Sequence, residues 1–91
     1  MNVRIKFYAY LRDIFVTKEK EIELDSGASL ADLLDILCST PERRKEIYDG
    51  HRLKPHLVIF KNGVNILNIG GLAVELKDGD ILNIFPFIGG G

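Results

Sequence analysis

The sequence contains one cysteine and no tryptophan in 91 residues. A single cysteine, Cys38, excludes an internal disulfide framework. His51 and His56 are the only histidines that could join it, and they do not make an evident zinc cluster. We therefore expect no bound metal and a fold that is stabilised by side-chain packing.

The sequence also lacks an excess of either charge. Twelve Lys and Arg residues face thirteen Asp and Glu residues, for a net charge of −1, which gives little attraction to a phosphate backbone or an anionic membrane. No apolar run approaches the length of a bilayer span, and the residues after Met1 do not form a signal-peptide hydrophobic block. We expect a cytoplasmic protein that binds neither nucleic acid nor membrane.

The composition is sufficient for one small folded domain. Hydrophobic residues make up 46% of the chain and charged residues 27%, a balance typical of globular proteins. A chain of this length is too small to build a deep substrate cleft as well as a cofactor fold. We predict a single domain over residues 1–88, followed by a flexible glycine tail over residues 89–91.

Two segments near the start alternate between apolar and polar residues, which is the period of a half-buried strand. In residues 2–8 the apolar positions share one face, and Tyr8 lies on the other face, away from the core. Residues 20–25 alternate again and end at turn residues. The pattern predicts a hairpin whose connection includes a loop over residues 13–17.

The residues after the second predicted strand have the spacing of an α-helix. Ser29 is a predicted N-cap, and the stripe behind it has the spacing of one helix face: Leu30, Leu33, Leu34, Leu37 and Cys38. Its place in this stripe predicts that Cys38 is a buried structural thiol. Thr40 and Pro41 predict the start of a short second helix over residues 42–48, closed at Asp49 and Gly50.

Two later segments predict the rest of the sheet. Residues 57–60 are apolar without interruption, as in a strand that is covered on both faces, and a turn follows at residues 62–63. The last predicted strand covers residues 81–85. Because Asn83 is the polar member of its face, we expect Phe85 and Phe87, which share that face, to point outward.

The sequence ends in three glycines, Gly89 to Gly91. Ordering a glycine costs more backbone entropy than ordering any other residue, so a folded domain gains no stability from such an ending. Local features are equally consistent with a functional tail and with an inert terminus.

Several segments, taken in order, resemble the MoaD family, the small subunit of molybdopterin synthase, which is similar in fold to ThiS and ubiquitin. The segments are residues 7–13, 29–34, 61–63 and 77–91. The family ending is Phe-Pro-Pro-Val-x-Gly-Gly, and this chain has Phe85-Pro86-Phe87-Ile88-Gly89-Gly90-Gly91 in the same register. Phe87 replaces the second proline of that pattern, which should make the start of the tail less stiff.

The resemblance implies an α+β fold of the β-grasp (ubiquitin-like) type, with a mixed sheet packed on one main helix. It also implies a sulfur carrier for molybdopterin synthesis rather than an enzyme, with no bound cofactor. An E1-like enzyme of the MoeB/ThiF type would use ATP to adenylate the carboxylate of Gly91, and a sulfur donor would convert the adenylate to a thiocarboxylate. Gly89, Gly90 and Gly91 would enter the partner enzymes, including a MoaE-like large subunit.

The resemblance also implies a partner-binding surface on the body. Tyr8 and Phe85 fall where the family's partner-facing aromatic residues lie, and Phe87 follows on the same face. Arg12 matches the family's basic residue after the first strand, where either contact with the activating enzyme or a plain surface role is consistent with the sequence.

Three other functions stay open. The chain could be a protein modifier that is conjugated to lysines through Gly91, a ThiS-like carrier for thiamine synthesis, or an interaction module with an inert tail. The sequence separates carrier from modifier poorly, because both functions need the same activated carboxylate.

Overall fold

A computed structural model describes residues 1–87 of the chain. Residues 88–91, which include the predicted tail, lie outside the described part, so the predicted boundary between domain and tail stays a prediction. The elements in chain order are β1 (Asn2–Phe7), α1 (Leu11–Phe15), β2 (Glu19–Glu23), α2 (Leu30–Leu37), α3 (Pro41–Ile47), β3 (Tyr48–Asp49), β4 (Arg52–Leu53), β5 (Leu57–Lys61), β6 (Val64–Asn65) and β7 (Ile81–Pro86). Two short 3-10 turns lie between β6 and β7, at Ile66–Asn68 and Gly71–Ala73.

Five strands form one mixed sheet in the order β2-β1-β7-β5-β6. The central pair, β1 and β7, is parallel, whereas β1 with β2, β5 with β7 and β5 with β6 are antiparallel. The predicted hairpin is therefore confirmed as β1–β2. A separate two-stranded ribbon is formed by β3 and β4.

The main helix, α2, packs its leucine stripe into the core. Ser29 begins it with the predicted cap: the Asp32 backbone N–H donates to the Ser29 hydroxyl at 3.2 Å, and the Ser29 N–H donates to the Asp32 carboxylate at 2.9 Å. This reciprocal pair is a capping box. The four leucines of the stripe join the inner side chains of β1, β5 and β7 in a single buried cluster. The β-grasp prediction, a mixed sheet packed on one main helix, is thus confirmed.

The predicted loop over residues 13–17 was wrong in its first half, because α1 covers residues 11–15. Leu11 and Phe15 are both buried, and the rings of Phe15 and Phe7 stack with their centroids 4.5 Å apart. Leu11, Ile14 and Phe15 have helical spacing, but a single turn is too short for this period to stand out in the sequence. Packing of Phe15 onto Phe7 stabilises the short helix.

The second predicted helix is confirmed with shifted bounds. In α3, which covers residues 41–47, the Arg43 N–H donates to the Thr40 hydroxyl at 3.2 Å. The helix ends before Tyr48 because that residue begins the ribbon, in which it pairs with Leu53. Gly50, expected to close the helix, lies instead in the turn between the two strands of the ribbon.

The expectation that residues 57–60 are covered on both faces was wrong. Leu57 and Ile59 are buried, but Val58 and Phe60 are only half-buried, since they lie on the side of the sheet that faces away from α2. We call this side the open face. Among the described residues, no helix is both long and apolar enough to cross a bilayer.

Among residues 1–87, Asp80 is the charged residue that is buried, and it joins two turns. Its carboxylate accepts hydrogen bonds from the Lys77 backbone N–H and the Asn62 side chain, both at 2.8 Å, and lies 3.5 Å from the Lys61 ammonium. Burial alone would raise the pKa of Asp80, but these hydrogen bonds and the charge of Lys61 outweigh it, so the pKa is lowered.

We expect Asp80→Asn to lower the free energy of unfolding at pH 7 by about 2 kcal/mol, because an amide group cannot replace the carboxylate toward three donors. A carboxylate whose folded pKa is lowered adds stability above its unfolded pKa of about 4 and loses it as pH falls through the folded value. The difference between the two proteins should therefore shrink below about pH 4. Urea denaturation across this pH range checks this prediction, with exposed Asp49→Asn as the control. A difference that does not depend on pH would contradict the assignment.

Candidate functional site

The open face is divided into rows of different chemistry. The glutamates of β2 lie along its outer edge, and the basic residues of β1 lie next to them. Register places Glu21 opposite Arg4 and Glu19 opposite Lys6. The next row belongs to β7, where Ile81 pairs with Arg4 and is 40% exposed. Charge therefore gives way to apolar surface toward the centre of the sheet.

Aromatic rings dominate the part of the open face formed by β7 and β5. The ring of Phe85 makes edge-to-face contacts with Tyr8 and with Phe60, at centroid distances of 6.1 and 5.6 Å. Val58 lies opposite Phe85 on β5. We call these four residues the aromatic cluster. All four are half-buried, so each presents apolar surface to solvent while its neighbours hold it in place.

Polar contacts fix Tyr8 within the cluster. Its hydroxyl donates to Asn83 Oδ1 at 2.7 Å, which joins the turn after β1 to the middle of β7. The predicted outward orientation of Tyr8 and Phe85 is confirmed, since both lie on the open face. Each is nevertheless packed against a neighbouring ring, so neither is a freely rotating surface group.

Arg12 lies beside the cluster and is oriented by two contacts. Its Nε–H donates to the carbonyl oxygen of Phe7 at 3.0 Å, and its guanidinium carbon lies 5.6 Å from the centre of the Tyr8 ring. The side chain remains exposed, so the guanidinium group lies at the border of the cluster, where a partner can contact it.

Phe87 is the last described residue, and its side chain is 64% exposed. Its backbone N–H donates to the carbonyl oxygen of His56. The His56 ring is itself contacted by Tyr10, whose hydroxyl lies 2.7 Å from Nε2. Burial, and then the nearby charge of Glu46, raise the pKa of Tyr10, so its hydroxyl stays protonated at neutral pH.

The predicted tail residues Gly89, Gly90 and Gly91 lie outside the described residues. The described chain ends two positions after Phe85 of the aromatic cluster. At about 3.3 to 3.6 Å per extended residue, the four residues that follow could reach about 13 Å from Phe87.

The other candidate residues are placed apart from this surface. Cys38 is 6% exposed, and desolvation by burial is the main cause that raises its pKa to about 11. Little nucleophilic thiolate therefore exists at neutral pH. His51 is exposed in the ribbon turn, whereas His56 contacts Tyr10. Within residues 1–87, no three His, Cys, Asp or Glu side chains are grouped so that they could hold a metal ion.

Reasoning from the sequence missed four residues: Val58 and Phe60 on the open face, and the contacting pair Tyr10 and His56. An uninterrupted apolar run hides which of its side chains face solvent, so the first two were assigned to a covered strand. The contact between Tyr10 and His56 joins residues 46 positions apart, for which the sequence carries no local signal.

The model of the ThiS family matches residues 5–91. Small archaeal modifier protein 3 of Haloferax volcanii is 31% identical to this chain over 93 residues, with the whole of both chains covered.

Two solved structures are similar to this chain in both sequence and fold. The small archaeal modifier protein 1 of Methanosarcina acetivorans is 31% identical, with a TM-score of 0.81 over 99% of this chain and 96% of that one. A putative molybdopterin converting factor, subunit 1, of Pyrococcus furiosus is 32% identical, with a TM-score of 0.74 over 94% of this chain and 97% of that one.

Proposed function

This chain belongs to the ThiS family of ubiquitin-like proteins, and from that premise we propose that it is a protein modifier whose Gly91 carboxylate is activated and joined to lysine amines. It is a carrier or modifier rather than an enzyme. Its similarity over the full length to a small archaeal modifier protein supports the modifier function better than the molybdopterin carrier that the sequence alone suggested first.

The proposed chemistry starts from a carboxylate, which is a poor acylating agent. In an E1-like enzyme the Gly91 carboxylate attacks the α-phosphorus of ATP, which forms an acyl-adenylate and releases pyrophosphate. A lysine amine of a target protein then attacks the acyl carbon, so that an amide bond forms and AMP leaves. The activating enzyme supplies the nucleotide site and the electrostatic stabilisation, and this chain supplies a carboxylate within reach.

A sulfur carrier is the second candidate function, and the similarity to the putative molybdopterin converting factor subunit supports it. In that case a sulfur donor displaces AMP from the same adenylate and leaves a thiocarboxylate on Gly91. A MoaE-like subunit would be the partner in molybdopterin synthesis, whereas a ThiS-like carrier would serve thiamine synthesis. Both functions fit the expected cytoplasmic location.

The open face supports docking of the activating enzyme. The aromatic cluster offers partly exposed rings that are already ordered, so a partner that covers them loses little side-chain entropy on binding. Arg12 adds a fixed positive charge at the border of the cluster and stands near Tyr8. We propose that Tyr8, Phe85, Phe87 and Arg12 contact the activating enzyme, together with Phe60.

Mass spectrometry tests the proposal and separates the two functions. When the chain is incubated with its cognate E1-like enzyme, formation of the acyl-adenylate should release pyrophosphate from ATP. In extracts of the native host, digestion with trypsin should yield target peptides that carry residues 78–91 on a lysine, because Lys77 is the last tryptic site. A sulfur-for-oxygen exchange on the free C-terminal peptide, without lysine-linked forms, would favour the carrier instead.

Two outcomes would contradict both functions. If sulfur is found on Cys38 rather than on the C-terminal peptide, the carboxylate is not the working group. If the chain is neither adenylated nor conjugated in the presence of its native partners, an interaction module with an inert tail becomes the better explanation.

A further inference from the structure

The end of the described chain, at Phe87, is held to the residue before β5 by a contact that the proposed chemistry does not use. We call Phe87 the base of the tail. In the pairing of β7 with β5, Pro86 lies opposite Leu57 but has no backbone N–H to donate. The next residue, Phe87, donates its N–H to the His56 carbonyl oxygen. This bond continues the pairing of β5 with β7 by one more step. It therefore fixes the backbone at the point where the described chain ends.

His56 is in turn held through its side chain. The Tyr10 hydroxyl and His56 Nε2 are 2.7 Å apart, and the two rings are tilted by 31° with centroids 6.4 Å apart. The backbone of Tyr10 is anchored as well, since its carbonyl oxygen accepts hydrogen bonds from the N–H groups of Asp13 and Ile14 at 3.0 and 3.2 Å. A connected path of contacts thus runs from the start of α1 through His56 to Phe87.

We propose, on the basis of the proposed function, that Tyr10 and His56 are positioning residues that set the direction in which the residues after Phe87 leave the sheet. Their side-chain hydrogen bond holds the His56 carbonyl where it accepts the Phe87 N–H. When Phe87 is fixed, we expect the residues after it to point toward the active site of a docked enzyme for a larger fraction of the time than when Phe87 is free to move. The apparent affinity for an activating enzyme rises with that fraction.

The test combines amide exchange with activation kinetics. In Tyr10→Phe, which removes only the hydroxyl, hydrogen exchange at the Phe87 amide should become about fivefold faster, the factor that corresponds to a bond worth about 1 kcal/mol. The KM of the chain in ATP-dependent adenylation should rise by a similar factor while kcat stays unchanged, because only the population of productive tails changes.

Conservative variants separate positioning from general damage. His56→Ala should reproduce both effects of Tyr10→Phe, and the double variant should be no worse than His56→Ala alone. His56→Gln should largely restore both values, since its side-chain amide can present an acceptor near the place of Nε2. Tyr48→Phe is the matched control, because it removes a tyrosine hydroxyl from the ribbon and should change neither value.

Three other outcomes would contradict the role proposed for Tyr10 and His56 or the function on which it rests. Unchanged exchange at Phe87 in Tyr10→Phe would show that the side-chain bond does not hold the base of the tail. Faster exchange with unchanged KM, or a fall in kcat instead, would show that this contact does not position the tail for activation. A wild-type chain that is not adenylated would overturn the proposed function, and with it the role in activation, while the exchange data would still decide whether Tyr10 and His56 hold Phe87.

Discussion

Gly90→Val should nearly abolish activation, with the rate of ATP-dependent adenylation lower by more than about a hundredfold, while the melting temperature stays close to that of the wild type. The buried core cluster of the described residues runs from Val3 to Ile84, so we expect that a side chain at position 90 does not disturb it. A channel in the partner that fits bare backbone should exclude a β-branched side chain, which also restricts the extended tail. Pyrophosphate release and thermal unfolding, measured on the same samples, check this.

Two companion variants grade the effect. Gly90→Ala adds a single methyl group and should reduce the rate by about tenfold. Deletion of Gly91 should abolish transfer even if the new terminal carboxylate is still adenylated, because that carboxylate stops about 3.5 Å short of the attacking group. Full activity in all three variants with the native partners would show that the tail is inert.

Phe85→Ala should weaken binding to the activating enzyme by about 2 kcal/mol or more, a factor of about 30 in Kd. The ring is the centre of the aromatic cluster, since it contacts both Tyr8 and Phe60. Its removal should also lower the free energy of unfolding by about 1 to 2 kcal/mol, because two aromatic contacts are lost. Calorimetric titration well below the melting temperature measures the binding loss separately from the stability loss.

Matched variants give this experiment its controls. Phe85→Leu keeps most of the apolar volume and should recover much of the stability but less of the affinity. Ile36→Ala removes an exposed aliphatic side chain from α2, outside the open face, and should leave Kd unchanged. A Phe85→Ala protein with reduced stability and wild-type Kd would assign the cluster to folding alone.

The sequence predicted those parts of the fold in which the local pattern and the final environment agree. The leucine stripe after Ser29 has a single period and a strong cap, and α2 forms as expected. The alternation in residues 2–8 likewise gave the correct inner face of β1, because that strand is buried on one side only.

The errors arose where tertiary contacts decide. In residues 57–60 every side chain is apolar, so the pattern could not show that Val58 and Phe60 face away from α2. The short α1 is stabilised by Phe15 stacking on Phe7. Local spacing in the sequence cannot predict this contact. The same holds for Tyr10 and His56, whose contact requires the folded positions of α1 and β5. The family ending located the tail in the sequence, but its residues lie beyond the described part of the chain.

The position of β7 has a consequence for when this protein can be used by its partners. This strand is synthesised after the other strands of the described sheet, yet it lies in the middle of that sheet between β1 and β5. Its pairing brings together residues as distant as Arg4 and Ile81, and such non-local closure is slow compared with helix or hairpin formation. The β1–β2 and β5–β6 pairs leave the ribosome first, but they can join into one sheet only after β7 has been synthesised. The aromatic cluster, which needs Tyr8, Phe60 and Phe85 together, therefore comes into existence only after translation has passed β7, so an enzyme that docks on it selects chains that have finished folding.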